Sequence, residues 1–222
     1  MKRSDANEAQ PILDRMLAQL LSFIPAKGRT GADARTAIGD ARDNGYKLLI
    51  DDALGPPLDD CFVQARLAGI SWQQLEIVRE GVAQETPISL GAVLVQNAGI
   101  RLCLATMAYV ISAMTFISRQ QVDELKAQIF QPFQDAEEIA ADEMDQMTFQ
   151  ALITLHGAIV NRLVQTALPL PRMMRYQFFS PLPSLVMAYK LYDDAGRADE
   201  VRAENKVVHP AFCPMLGEAL SK

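Results

Sequence analysis

Read from the N-terminus, apolar residues recur at three- and four-residue steps over most of the chain. Ile12, Leu13, Met16, Leu17, Leu20, Leu21 and Ile24 form the first such stripe, broad enough to cover one side of a helix and to demand a surface to pack on. Proline is tolerated in a first turn, so the pattern predicts a helix from Pro11 to Ile24, ended by Pro25. Asp33 to Leu49 reads as a second helix with Gly39 and Gly45 as weak points, and Gly55-Pro56-Pro57 separates it from a short helix over Leu58 to Leu67. Ser71 caps Trp72 to Gln84, and Pro87 with Ser89 leads into a long apolar helix reaching Met114. Ser118 followed by Gln121 is a capping-box pattern for a helix toward Ala141, which Pro132 should kink or interrupt. A further helix runs from Met144 to Thr166, with Phe149, Leu152, Ile153, Leu155, Ile159 and Leu163 available for burial.

Strand alternation first appears late, over Met173 to Phe178. Pro181 to Tyr192 then reads as a helix ended by Gly196, Ala198 to Glu204 as a second helix stopped by Asn205, and the residues from Gly217 as a short returning strand. The expected architecture is therefore mainly α: an antiparallel helical bundle followed by a small βααβ C-terminal module. Three regions follow, an N-terminal amphipathic helix and linker (1–30), the bundle (31–167) and the module (168–222).

Composition agrees with helices. Of 222 residues, 50% are apolar and only 7% aromatic, so the core must be built from Ala, Leu, Ile, Val and Met. Three widely spaced cysteines, Cys61, Cys103 and Cys213, suggest no disulfide framework. The opening M-K-R-S-D-A-N-E-A-Q-P has no apolar run behind its charges and does not read as a secretory signal. Leu102 to Ile117 is free of charge but shorter than the roughly 18 to 20 residues a spanning helix needs, which predicts a buried bundle helix and no membrane span. The net charge of −6 is uneven: Gln121 to Val160 holds eight acidic residues against one lysine, and Leu168 to the end seven basic against six acidic. That balance opposes clamping of a nucleic-acid backbone over the whole surface.

Catalytic signals are weak. His156 sits among Leu155, Ala158 and Ile159, as a core or helix-surface residue would, and His209 precedes Pro210 in a turn. There is no Cys-x-x-Cys, no histidine pair at i, i+4, no G-x-S-x-G and no phosphate-cradling glycine loop. Glu138, Asp142 and Asp145 would share a face if their helix ran unbroken through Met144, either as a solvated face or as a cation stripe. The expectation is no enzyme, no cofactor and no metal. Arg172 and Arg175, with Arg162 upstream, are candidates to meet a partner's carboxylates or phosphate, the protein contact being favoured. Leu17, Leu20 and Leu21 are the alternative docking candidates, since the first stripe packs either internally or on another chain.

The last quarter of the chain carries a more specific pattern. Leu170, Pro171, Arg172, Arg175 and Tyr176 are followed by Pro181, Leu182, Pro183, Ala188, Leu191 and Tyr192. Then come Arg197, Ala198, Asp199, Glu200, Ala203, Asn205, His209, Pro210 and Phe212. This arrangement resembles the C-terminal end of the DNA-circularisation (N protein) family of Mu-like phages and prophages. A looser match runs upstream through Phe116, Ser118, Arg119 and the stretch from Ala151 to Leu163. The β-rich N-terminal domain associated with that family has no counterpart among these residues. The βααβ order also resembles the LysM module, from which Cys213, Pro214 and Met215 depart at the turn before the last strand. The resemblance implies a structural component of a contractile-tail baseplate near the hub, in a ring-like oligomer with other tail proteins, located in the virion after synthesis in the bacterial cytoplasm. DNA association at genome ends and peptidoglycan binding are the alternatives. Within the module, Tyr189, Tyr192, Asn205 and Pro210 are the expected core.

Overall fold

The computed structural model describes residues 1–221 and is mainly helical, with ten α-helices and one two-stranded antiparallel sheet among the described residues. It divides into two compact units, one of Met1–Met114 with Phe130–Ile159, the other of Thr115–Ile129 with Val160–Lys222. These boundaries differ from the expected breaks near residues 30 and 167. The first helix belongs to the larger unit, and the division passes through two long helices rather than through linkers.

In the larger unit, α1 (Arg3–Ser22) begins eight residues before the expected start at Pro11. Ala6 and Ala9 extend the stripe at the same spacing and are fully buried, so small side chains carry the helix past a proline whose missing N–H it tolerates. The expected second helix is two, α2 (Arg29–Asp43) and α3 (Gly45–Ile50), broken at Asn44, whose side-chain amide donates to the Asp40 carbonyl at 2.9 Å. α4 (Gly55–Leu67) takes its two prolines into the first turn. α5 (Trp72–Ala83) has the full capping box: the Gln74 N–H donates to Ser71 Oγ at 3.3 Å and the Ser71 N–H to Gln74 Oε1 at 2.9 Å.

α6 (Leu90–Ser112) packs on α1, α4 and α5. Its first turn is held by Ser89 and by Glu8 of α1, whose carboxylate accepts from the Ile88 and Ser89 N–H groups at 2.6 and 2.9 Å. Those bonds, the Ser89 hydroxyl first, hold Glu8 below its ordinary carboxylate range. A side chain at Gly99 would run into Met16, so glycine sets the close approach of α1 to α6. α6 is the one helix among the described residues with the length and apolarity to cross a bilayer, and 56% of that window is buried inside the chain.

α7 (Arg119–Asp142) continues past Pro132 without the interruption that was one of the two expectations there. Its cap also differs: Ser118 Oγ accepts from the Gln121 N–H, but Gln121 Oε1 returns to the Ile117 N–H at 3.0 Å. At its end Met144 is left-handed (φ 56°), and the Asp145 N–H reaches back to the Ala140 carbonyl at 3.0 Å, as in a Schellman turn. Asp145 then caps α8 (Gln146–Ala167) by accepting from the Thr148 N–H at 3.1 Å.

In the smaller unit, β1 (Met173–Gln177) pairs antiparallel with β2 (Leu216–Leu220), Arg175 opposite Glu218. Between them lie α9 (Ser184–Tyr192), a 3-10 turn (Ala195–Arg197) and α10 (Ala198–Glu204). α9 starts later than expected because Pro181 to Pro183 is extended, with Leu182 bridging Cys213. It is ended by Asp193 in the left-handed region (φ 58°), not by Gly196, which sits in the 3-10 turn under the Asp194 carboxylate. Tyr176, Met187, Ala188, Tyr192, Ala198, Val201, Cys213 and Ala219 form the unit's core cluster.

Candidate functional site

Six of the candidate residues, Arg172, Arg175, Tyr189, Tyr192, Asn205 and Pro210, lie in the smaller, C-terminal unit. Asn205, just past α10, uses its whole amide. Nδ2 donates to the Val201 carbonyl at 2.9 Å and to the Glu218 carbonyl at 2.7 Å, while Oδ1 accepts from the Glu218 N–H at 2.9 Å. A helix end and a strand are thereby joined by one side chain. Gly217 is obligatory beside it, because a Cβ there would overlap Asn205 Oδ1 and stand 2.5 Å from the Tyr176 hydroxyl.

Tyr192 is 5% exposed, and the Arg197 guanidinium lies over its ring at 3.7 Å while bonding Glu200 through two nitrogens at 3.0 and 2.6 Å. Burial, followed by the Glu200 carboxylate, pushes the Tyr192 hydroxyl up to about 12. Tyr189 was expected in the core and is not: it is 62% exposed. The inward side of α9 is Ser184, Met187, Ala188 and Tyr192, and Tyr189 falls on the opposite side. Pro210 is also exposed, so its expected core role is corrected; it acts through its backbone, its carbonyl accepting from the Ser184 N–H at 2.7 Å as α9 begins.

Arg172 and Arg175 do not act as a pair. Arg175 reaches across the strand pair to Glu218 on β2 at 3.8 Å and is largely solvated. Arg172 is exposed, donates its backbone N–H to Ser221 Oγ at 3.0 Å, and lines a cleft of about 520 Å³ with Arg119, Arg197, Pro169, Leu170, Pro171 and Ser221. Arg119 is fixed there, its Nε and Nη2 donating to the Leu170 and Leu168 carbonyls at 2.8 and 2.7 Å. Arg119 and Arg197 were not singled out as site residues, since nothing in their spacing announces the meeting; the fold creates it. Arg162 stands exposed on α8.

In the larger unit, Leu17 and Leu20 are fully buried and Leu21 is partly buried, against the expectation that they offer a docking face. Their stripe packs on α2, α3, α5 and α6 of the same chain. His156 is stacked on Phe133 at 4.9 Å with Nδ1 2.9 Å from Glu137 Oε1, a packed side chain between α7 and α8. The acidic stripe is broken, because the turn at Met144 places Asp145 at the head of a new helix. There Asp145 is held below its ordinary range by Thr148, hydroxyl first and amide second. Glu143 is engaged by Asn97 and by Arg101 at 2.9 Å. Among the described residues no group of three or more His, Cys, Asp or Glu is placed to hold a metal ion. The cysteines are free and buried, and burial raises all three thiols, Cys61 to about 12.

Compared with known proteins, the chain matches no family model and no curated protein.

Proposed function

We propose that this protein is a structural component of a contractile phage-tail or prophage-derived baseplate near the hub, assembling with other tail proteins in a ring-like oligomer. The carrying observation is the use made of the Arg197–Phe212 stretch, on which the resemblance to the Mu-like DNA-circularisation family rests. Glu200 holds the Arg197 guanidinium over Tyr192, Asn205 ties α10 to β2, and the Pro210 carbonyl receives the start of α9. Every one of these roles is structural, as suits an assembly part. The order β1, α9, α10, β2 with antiparallel pairing supports reading the unit as LysM-like, and the helices before it as a bundle.

The test is mass spectrometry of particles purified from an induced host, with and without the gene. Presence at fixed stoichiometry, and tail-less or baseplate-less particles on deletion, is the expected result; a chain absent from purified particles overturns the reading. DNA association at genome ends and peptidoglycan binding are separated by a gel shift at graded salt and by a peptidoglycan pull-down.

A further inference from the structure

The C-terminal unit contains a feature that folding alone does not use. Arg172 lines a cleft with Arg119 and Arg197, and its guanidinium has no hydrogen bond or ion pair among the described residues. Among the described residues no Asp or Glu lines that cleft. Arg119 spends two nitrogens on carbonyls, which orients the group without neutralising it. Arg197 is balanced by Glu200 and adds a wall rather than net charge. Among the described residues, then, two cations without a carboxylate partner line one cavity with Pro169, Leu170 and Pro171, against which an aliphatic stem can lie.

We propose that the Arg119–Arg172–Arg197 cleft is a carboxylate-binding site that takes a glutamate or aspartate side chain from a protein partner. The proposal deepens the assembly reading above and rests on it. Guanidinium groups match a carboxylate in geometry and in charge. A nucleic acid fits less well: duplex DNA presents a charge about every 1.7 Å, whereas the groove that continues from Arg119 and Arg172 is lined by Asp123 and Glu124. The site accepts one localised anion and repels the next.

The experiment uses the full chain with 15N-labelled arginine, following the Nε–H resonances. The probes are an acetyl-Leu-Glu-Glu-Leu-amide peptide, its glutamine counterpart, inorganic phosphate and a short DNA duplex. The glutamate peptide is expected to shift Arg172 and Arg119, the glutamine peptide to leave them in place, and added salt to weaken the effect. Arg172→Glu should reduce peptide affinity by about tenfold or more, the loss expected for one charge-assisted contact. Arg175→Glu, outside the cleft, should leave it unchanged. Because Arg172 is exposed and its side chain unbonded, its replacement spares the fold; Arg119→Lys, which keeps the charge, provides a second reading with intermediate affinity. Equal affinity in wild type and Arg172→Glu overturns the site. Tighter binding of phosphate or of the duplex than of the peptide overturns the partner class. Particle incorporation is scored separately: reduced incorporation of Arg172→Glu beside normal incorporation of the wild type supports the cleft as a partner site, normal incorporation of Arg172→Glu overturns it, and a wild-type chain that never enters particles fails the assembly reading alone.

Discussion

At the scale of single residues the C-terminal unit is held by a few side chains with no substitutes. Asn205 makes three hydrogen bonds to main-chain groups of α10 and β2. Each is worth about 1 kcal/mol, and unpaired partners add to the loss, so Asn205→Ala should cost about 2 to 3 kcal/mol. The check is hydrogen exchange at the Glu218 amide together with thermal unfolding; undiminished protection at Glu218 would show that β2 is held otherwise. The two tyrosines of α9 provide a sharper contrast. Tyr192→Ala empties a buried aromatic site and should cost about 3 to 5 kcal/mol, while Tyr189→Ala, on the solvent side, should stay within about 0.5 kcal/mol. Equal effects in denaturant titrations would mean that α9 is rotated from the orientation described.

At the scale of elements, helix ends carry the electrostatics. Asp145 at the head of α8 and Glu8 at the head of α6 are both held below their ordinary values of 3.8 and 4.5 by hydrogen bonds to their charged forms. A folded-state pKa below the unfolded one gives stabilisation that is present above the unfolded value and lost as pH falls through the folded value. Thermal stability should therefore decline as the medium is acidified below about pH 4.5, and Asp145→Asn, which cannot titrate, should flatten that decline. An identical profile for wild type and variant, measured by circular dichroism melts across acid pH, would remove Asp145 from the account. The elements themselves were legible where stripes were long and caps conventional: α5 and α10 fall within a residue of expectation. Misreadings have physical causes. Alanines at positions 6 and 9 bury fully yet give little hydrophobic signal, so α1 looked shorter. Asp193 adopts a left-handed conformation that sequence assigns to glycine, so the end of α9 was not foreseen, whereas the helix break at Met144 was legible and only its left-handed turn was not. The arginine cleft was half legible, for Arg172 was named, but Arg119 and Arg197 reach it only through the folded path of the chain.

At the scale of the whole molecule, the two units make opposite predictions about truncation. Removing residues 1–24 takes Ala6, Ala9, Ile12, Leu13, Met16, Leu17, Leu20 and Ile24 out of the core. At about 1.5 to 3 kcal/mol for each large side chain, that loss matches or exceeds the 5 to 15 kcal/mol that typically stabilises a domain. The truncated chain should lose cooperative unfolding of its helices; a truncated protein that still melts sharply would return α1 to the role of an arm for other chains. The C-terminal unit behaves differently because its core cluster, from Tyr176 to Ala219, lies entirely within residues 172–221. A piece of that size buries a smaller fraction of its surface than a full domain does. It also forgoes the carbonyl bonds that Arg119 makes to Leu168 and Leu170. The isolated fragment should nevertheless fold with low stability, showing dispersed methyl signals for Met187 and Val201 and a protected Glu218 amide. Tyr192→Ala should then abolish folding of the fragment outright, since about 3 to 5 kcal/mol exceeds what so small a core can spare. Random-coil spectra from the wild-type fragment would show that the first part of α7 and the end of α8 are required to complete the unit, and that the βααβ sequence alone does not specify it.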